Sequence, residues 1–429
     1  MSSELDLLRS LDDEPHSPST VDIGRAIAAG RRRRVRRRVG YAGAAAVTAL
    51  AVAGTSVIAG VFEQAPAHTA ATGAPRATVP AYTIPGTPGW RAPAATPPTG
   101  CALERLPAPD NAPMALVSGA DPSGRYLVGR SYPKAGGYQA VIWHDGQARK
   151  VMLPGGDEEL LEDVNSTGTA VGWSYAGGSE ADTGPVPYVY RDGRVSELPG
   201  VRRGSAYAIN DAGAIVGDDD SGRAALVWPS ATAQPIRLPL PAGASEVTAG
   251  DIDEDGTVVG NVSGGQAYVW FPDGTHRELP TPRIDGVQNP GSRVFAIRNG
   301  WATGVAGALD RAGTRPKADP SGAAGRGTDR ENPVRVVRWN VRTGEVRVFG
   351  ELQVQAGTVN AQGWLLGTDK QGRAVLVTDA ATVVLPGLTA GRPDGLSTIA
   401  TTVSDDGRTI GGQSDDASGT IQAVVWRCG

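Results

Sequence analysis

The chain has 429 residues, with 41 basic and 45 acidic side chains and a net charge of −4. This charge excludes an overall basic nucleic-acid-binding protein, so we expect no nucleic-acid partner. The chain contains 59 glycines and 32 prolines, which favours many short strands joined by turns over a helical protein. Two cysteines and four histidines are too few for a zinc cluster, and we expect no metal and no cofactor.

Charge is distributed unevenly over the first 62 residues. Residues 1–24 are acidic, residues 25–38 carry eight arginines and no acid, and residues 39–62 are 24 residues without a charge. A helix of that length spans about 36 Å, enough to cross a bilayer. Arginines on its N-terminal side predict a cytoplasmic N-terminus. The sequence therefore predicts a cytoplasmic tail (1–38), a transmembrane signal-anchor helix (39–62) and an extracytoplasmic remainder.

Two other interpretations of the apolar segment remain open. The segment also suits the hydrophobic region of a long signal peptide, cleaved near Ala65-Pro66-Ala67. Its paired arginines and its Ala/Gly-rich composition suit a twin-arginine export signal as well. Length favours the uncleaved anchor, because the hydrophobic region of a signal peptide usually has about 7–15 residues.

The tail has the pattern of a docking segment. Leu5, Leu8 and Leu11 fall on one helical face, which would fit a groove of a partner; the alternative is a disordered acidic tail. The succession ELDLLRSLDDEP, STVDIGRAIAAG, an arginine block and an Ala-rich span resembles actinobacterial single-pass membrane proteins. Some of these are encoded beside extracytoplasmic-function sigma factors. The resemblance implies a cytoplasmic regulator, such as a sigma factor, as the partner of residues 1–38.

Residues 63–100 have the composition of a stalk. Eight of these 38 residues are proline, interleaved with Ala, Thr and Gly. Such a segment buries little apolar surface, and its prolines favour an extended polyproline II conformation. At about 3.1 Å per residue it reaches on the order of 100 Å. We expect a spacer that lifts a domain off the membrane.

The remaining residues, 101–429, repeat one unit seven times. Each unit reads as an apolar strand, an Asx-x-x-Gly turn, a short strand ending in Gly, a variable loop, a strand ending in Trp and a strand ending in Leu-Pro. The spacings between successive turn glycines are 44, 45, 43, 44, 63 and 44 residues. Those glycines are Gly124, Gly168, Gly213, Gly256, Gly300, Gly363 and Gly407. Four strands per repeat at this period predict an all-β, seven-bladed β-propeller.

The first and last repeats predict how the ring closes. The seventh copy ends at Trp426 and lacks its Leu-Pro strand, whereas residues 101–107 before the first copy match that strand. The N-terminal strand therefore completes the seventh blade. The only two cysteines, Cys101 and Cys428, lie on these two segments. Export permits a disulfide between them, and the alternative is two free thiols.

The repeat unit resembles the HAF repeat of exported proteins, which runs like A-x-x-I-N-x-x-G-x-x-V-G followed by A-x-x-W. Ala208-Ile209-Asn210 with Gly213, Gly217, Ala225 and Trp228 carry the match. The fifth copy departs from it, because Ala296-Ile297-Arg298-Asn299-Gly300 is one residue shorter. The resemblance supports the fold and implies no assigned chemistry.

Few residues of the repeats suggest chemistry. Asp251, Asp253 and Asp255 have the spacing of the first half of a calcium loop, but the alignment with the other copies favours a plain turn. His144 and His276 each follow a blade Trp beside an Asp-Gly turn and are interpreted as surface residues. We expect no catalytic residue. Loops between the second and third strands vary most, above all residues 307–333 in the fifth copy, which we interpret as a disordered insertion or a ligand flap.

These observations predict a single-pass membrane protein with an extracytoplasmic propeller that recognises an unknown ligand or cell-wall component and is not an enzyme. Sensing coupled to a cytoplasmic regulator is the first hypothesis. A cell-wall scaffold or binding module is the alternative, and a propeller hydrolase or lyase is the rival from another class, because a propeller can bring acids from different blades together on its axis.

Overall fold

The computed structural model describes residues 82–134, 137–155, 158–175, 184–263, 266–284, 291–307, 334–353, 357–389 and 397–429, and the backbone at 287–288. The chain divides into two units, residues 1–76 and 77–429, and the described residues belong to the second. The predicted tail (1–38), transmembrane helix (39–62) and fifth-copy insertion (308–333) lie outside them. Within the described ranges no helix is long and apolar enough to cross a bilayer.

Seven antiparallel sheets follow one another along the chain, and each packs against the next around a closed ring. The fold is thus the all-β, seven-bladed propeller that the repeats predict. Blades 1 to 3 contain the strands β2 (Met114–Ala120), β3 (Tyr126–Tyr132), β4 (Gln139–His144), β5 (Gln147–Val151); β6 (Glu159–Val164), β7 (Ala170–Ser174), β8 (Val186–Arg191), β9 (Arg194–Glu197); β10 (Ala206–Ile209), β11 (Ile215–Asp218), β12 (Ala225–Trp228) and β13 (Ile236–Arg237).

The later blades follow the same order. Blades 4 to 7 contain β14 (Val247–Ile252), β15 (Val258–Val262), β16 (Gln266–Trp270), β17 (His276–Glu278); β20 (Gly291–Arg298), β21 (Trp301–Gly307), β22 (Arg335–Asn340), β23 (Val346–Phe349); β24 (Leu365–Thr368), β25 (Ala374–Val377), β26 (Thr382–Val384); β27 (Thr398–Val403), β28 (Thr409–Asp415) and β29 (Ile421–Cys428). In blade 6 the innermost strand is reduced to a bridge between Val359 and Leu365. A hairpin of β18 (Arg283–Ile284) and β19 (Val287–Gln288) and a 3-10 turn (Pro109–Asn111) lie outside the blades.

The ring closes through the N-terminal strand, as predicted. Strand β1 (Cys101–Arg105) pairs antiparallel with β29 as the outermost strand of blade 7. Cys101 lies opposite Cys428, and the two form a disulfide. Blade 7 therefore combines the two ends of the repeat region, and a covalent bond joins them.

The repeated Trp and the repeated Leu-Pro are two halves of one contact between blades. In five blades the Trp indole N–H donates to the carbonyl of the Pro that ends the preceding blade, at 2.7–2.9 Å. The pairs are Trp143 with Pro107, Trp228 with Pro199, Trp270 with Pro239, Trp339 with Pro280 and Trp426 with Pro386. All five indoles are fully buried, so each adds a large apolar surface and satisfies its own polar group.

The two copies without Trp support the same interpretation. In blade 2 the Trp position holds Tyr190. The Pro154 carbonyl of the preceding blade accepts a hydrogen bond from the Ser174 hydroxyl at 2.6 Å instead. In blade 6 the position holds Thr378, and the preceding blade ends in Phe349 without a Pro. In blade 2 only the donor is thus replaced, whereas blade 6 has neither the Trp donor nor the Pro acceptor.

The turn residue Asx also joins neighbouring blades. The Asn165 amide donates to the Asn210 carbonyl at 3.2 Å, and the Asn210 amide donates in turn to the Asp253 carbonyl at 3.3 Å. The Asp253 carboxylate accepts the backbone N–H groups of Asn299 and Gly300 at 2.8 and 2.7 Å. The innermost strands surround the axial channel of the propeller. Because these turns end those strands, their side chains form an arc of hydrogen bonds around one end of the channel.

Residues 82–100, part of the predicted stalk, lie on this same face; we call them the strap. Tyr82 and Ile84 are buried in the apolar cluster shared by blades 3 and 4. At the other end, the backbone N–H of Thr99 donates to the Gly429 carbonyl at 2.7 Å, directly before β1. The strap therefore crosses from blades 3 and 4 to blade 7. The loops between second and third strands end on the opposite face, which we call the loop face.

Candidate functional site

The axial channel of the propeller is the candidate site. Its wall is built from the innermost strands, and six of these carry a bulge shortly before the turn. A bulge adds one residue and re-aims its side chain. The added residues all line the channel: Ser118, Glu162, Tyr207, Gly250, Phe295 and Thr401. The channel therefore differs in chemistry from blade to blade although the backbone repeats.

Carboxylates dominate the channel wall. The described lining includes six acids, one tyrosine and Arg298, and no histidine, cysteine or lysine. The acids are Asp121, Glu162, Asp163, Asp251, Glu254 and Asp405. Such a wall favours hydrogen-bond donors and cations over anions.

Asp163 and Asp251 occupy equivalent positions in blades 2 and 4, where the third copy has a small residue, Ala208. Asp163 accepts the backbone N–H of Ile209 at 2.9 Å, and Asp251 accepts that of Ile297 at 2.7 Å. Each acid therefore fastens its blade to the next one.

Burial penalises the charged form of these two carboxyls. It raises the pKa of Asp251 to about 7, although hydrogen bonds from Ile297 and Ile252 oppose the rise. It raises the pKa of Asp163 well above its usual range, and the negative charge of Asp251 adds to the effect. Near neutral pH the carboxyl group of Asp251 can therefore still carry a proton.

Arg298 is the cation of the described channel lining, and the shortened turn of the fifth copy delivers it. Asn299 and Gly300 both have positive φ, 49° and 76°, as a two-residue type I′ hairpin requires. Arg298 consequently stays in strand register opposite Trp301. The residue that breaks the repeat in sequence is thus placed by a tight turn at the channel mouth.

Two acids and one indole hold the Arg298 guanidinium. Nη1 donates to Glu254 Oε1 at 2.7 Å, while Nε and Nη2 donate to the two Asp405 oxygens at 2.9 and 2.7 Å. The ring of Trp90 stacks on it, with the centroid 4.7 Å from Cζ. Although burial disfavours the charge, the hydrogen bonds and charges of Asp405 and Glu254 raise the pKa of Arg298. It therefore stays a cation.

The strap contacts this mouth through its backbone. The Pro85 carbonyl accepts the Asn210 amide at 2.9 Å, and the Thr87 N–H donates to the Glu254 carbonyl at 2.7 Å. A Cβ at Gly86 would lie 2.4 Å from the backbone of Asp255, so only glycine fits this approach. With Trp90 on Arg298, the strap lies along the rim of this end of the channel, and none of its residues belongs to the described channel lining.

The residues that the sequence singled out for metal binding have structural roles here. Asp251 and Asp253 bind the backbone of blade 5, and Asp255 forms an ion pair with Arg342 at 3.0 Å. Among the described residues no group of three or more His, Cys, Asp or Glu could hold a metal ion. The three aspartates serve the turn and the blade contact instead.

The two histidines lie beside tyrosines on the blades. His144 stacks on Tyr126 with ring centroids 4.2 Å apart, and His276 Nδ1 lies 2.6 Å from the Tyr268 hydroxyl. His144 is well exposed. Neither residue lines the channel.

The loop-face ends of blades 1 and 2 carry aromatic residues that the sequence reasoning missed. The Arg130 guanidinium stacks on Tyr138, 4.7 Å from the ring centroid, and pairs with Glu158 at 3.2 Å. In blade 2 the rings of Trp173 and Tyr175 meet edge to face at 5.8 Å. Half-buried aromatic rings beside a fixed arginine are typical of binding surfaces. The sequence signal was four aromatic residues around the variable loops of these two copies, Tyr132, Tyr138, Trp173 and Tyr175.

No family model matches the chain, and no curated protein matches its sequence. Its fold is similar to an oligogalacturonate lyase from Vibrio parahaemolyticus, with 9% identity, TM-score 0.46, and coverage of 78% of this chain and 98% of that one. It is also similar to the β-propeller domain of the Trilobed protease from Pyrococcus furiosus, with 12% identity, TM-score 0.46, and coverage of 73% and 95%. A third similar structure is the WD40 β-propeller domain of Doa1, with 12% identity, TM-score 0.42, and coverage of 76% and 97%. Likeness at this level carries no argument about function.

Proposed function

We propose that this protein is a membrane-anchored, extracytoplasmic recognition protein that binds its ligand on the loop face and is not an enzyme. The observation that carries the proposal is the strap. Because the protein's own chain occupies the rim of the channel mouth at Arg298, we expect a ligand to reach the propeller from the opposite face, on the side of the variable loops. The aromatic residues of blades 1 and 2 support this choice of face.

The disulfide supports the location. A Cys101–Cys428 bond between the two ends of the ring forms and persists in oxidising compartments outside the cytoplasm. Residues 39–62 would then anchor the protein, with residues 1–38 available to a cytoplasmic regulator. This part of the proposal rests on the sequence, and the association of the HAF-like repeat with exported proteins agrees with it.

The experiment has two arms. In the first arm, membrane fractions are washed with alkali, and intact cells are treated with protease from outside. The proposal expects the protein to stay in the membrane fraction and its propeller to be cleaved by the external protease. Peptide mapping without reductant should recover Cys101 linked to Cys428. Detergent co-purification of the full chain beside a chain lacking residues 2–24 then tests coupling. A cytoplasmic regulator captured only by the full chain supports a sensor, whereas identical envelope components with both chains support a surface binding module.

A second candidate, a propeller hydrolase or lyase, is favoured by one observation. Asp163 and Asp251 converge on the channel with raised pKa values, as a general acid requires. The test is turnover of acidic and neutral glycans and lactones by the full chain and by Asp163→Asn and Asp251→Asn. A recognition protein shows no turnover in any of them, whereas an enzyme loses turnover by about 10²-fold or more in the variants.

A further inference from the structure

We call the chain before residue 82 the tether. The strap and the disulfide together define where tension on this tether acts on the propeller. The tether enters the described structure at residue 82, and Tyr82 and Ile84 are its first buried side chains. Between Thr87 and Pro97 most residues are exposed. The contacts there are the hydrogen bond from the Thr87 N–H to the Glu254 carbonyl at 2.7 Å, the Trp90 stack on Arg298, a hydrogen bond from the Gln362 amide to the Pro93 carbonyl at 2.8 Å, and the packing of Ala95 against the apolar cluster of blades 6 and 7.

The disulfide lies at the point where the strap becomes part of the ring. Cys101 is the first residue of β1, on the tether side of the strand. Tension arriving at Cys101 therefore passes into Cys428 before it reaches the hydrogen bonds between β1 and β29. Strand β29 lies between β1 and β28 in the sheet, so the load enters a strand that is paired on both sides.

We propose that the strap is a force-releasable segment and that the Cys101–Cys428 bond shields the closing strand from the same force. This inference rests on the proposed anchoring, because only an anchored protein bound to the cell wall would carry tension. Under tension the strap detaches from the blades and lengthens the tether, while the ring and its loop face keep their structure. The protein then keeps hold of its ligand as the distance between wall and membrane changes.

Release of the strap and opening of the ring would lengthen the chain by amounts that differ enough to be measured. Residues 82–100 reach at most about 70 Å when fully extended, at about 3.6 Å per residue. The part of the ring between residues 101 and 221 would release up to about 430 Å. A short step without a long one is thus the signature of strap release.

Single-molecule pulling on the full chain in detergent tests the inference. One handle is placed at the N-terminus, and the other on a peptide tag inserted after the exposed Ser221 on the loop face. The oxidised protein is expected to give one reversible step of at most about 70 Å before any longer event. The Cys101→Ala/Cys428→Ala chain, with the same handles, is expected to give the long event at a clearly lower force.

Two strap variants serve as matched controls. Gly86→Ala places a Cβ against the Asp255 backbone and should abolish the short step, while Trp90→Ala should lower its force; neither should change the long event. The inference is overturned if the oxidised protein gives no short step, if its ring opens at the same force as in the cysteine variant, or if both strap variants weaken the ring. A protein that is absent from the membrane but gives the predicted steps contradicts the proposed function and not the strap mechanism.

Discussion

Blades 3 and 5 show how one repeat can build both a scaffold and a site. Both bury a Trp that donates to a Pro of the preceding blade. They differ at the turn after the first strand, where blade 3 has Asn210 bonded to its neighbour and blade 5 has Arg298 held by two acids and Trp90. Residues that match the repeat hold neighbouring blades together, whereas Arg298, which departs from the repeat, lies at the channel mouth.

The largest effect is expected where the two blades agree. Trp228→Ala and Trp339→Ala each remove a fully buried indole and leave a Pro carbonyl without its donor. Each should lower the free energy of unfolding by about 3–5 kcal/mol. Urea unfolding of the full chain measures both. A loss in one blade more than twice that in the other would contradict the equivalence of the blades.

The next effect concerns the departing position. Arg298→Gln leaves Glu254 and Asp405 without their cation in a largely buried setting, which should cost about 3 kcal/mol at pH 7. The deficit should shrink as the pH is lowered, because burial raises the pKa of Glu254 and a protonated Glu254 needs no cationic partner. Thermal unfolding at pH 7 and pH 5 measures it. The double variant Arg298→Gln/Asp405→Asn should be more stable than the single one at pH 7; equal stability would contradict the pairing.

A smaller loss is expected at the corresponding position of blade 3. Asn210→Ala removes the donor to the Pro85 and Asp253 carbonyls and the acceptor of the Ala214 N–H. The expected cost is about 1–3 kcal/mol by urea unfolding. Asn210→Asp keeps the acceptor but sets a second oxygen against the Pro85 and Asp253 carbonyls in place of the donor, so it should be clearly less stable than the parent. An aspartate variant as stable as the parent would show that the bonds to the neighbouring turn and the strap do not matter.

The last effect is a slope with pH and not a loss at one pH. Burial raises the pKa of Asp251 to about 7, above its value of about 4 in the unfolded chain. The folded protein therefore holds this proton more tightly, and the associated stability is present below about pH 4 and is lost as the pH rises through about 7. Asp251→Asn should reduce this decline by up to about 1.4 kcal/mol per pH unit. Denaturant unfolding from pH 4 to 8 measures it, and the exposed Asp192→Asn should leave the slope as it is.

The seven-bladed ring and its closure could be predicted from the sequence, because the blades carry a repeated motif and the last copy lacks one strand of it. Seven turn glycines predicted seven blades, and the absent last strand predicted that residues 101–107 complete the ring. The pairing of Trp with Leu-Pro was not predictable, since donor and acceptor lie in different blades. The same holds for the convergence of Asp163, Asp251 and Arg298, which depends on the bulges and on ring geometry.

The strap was harder still to predict. Its composition is that of a linker. Its main contacts use backbone groups, the carbonyls of Pro85 and Pro93 and the N–H of Thr87, and such groups occur in any sequence and give no signal. Tyr82, Ile84 and Trp90 are conspicuous among the prolines as large apolar side chains, and Pro98 is buried as well. The remaining predicted stalk residues, 63–81, lie outside the described residues, and their role as a spacer stays a prediction.

The disulfide has a further consequence for proteolysis of the propeller. Residues 101–428 form a covalent circle, so one cut in an exposed turn, such as Asp192-Gly193 between β8 and β9, opens the circle without producing a separate fragment. The two new ends remain on one molecule, and the blades on either side stay paired through the ring. A nicked protein would therefore keep its seven blades on the tether, and its pieces would separate on a denaturing gel only after reduction.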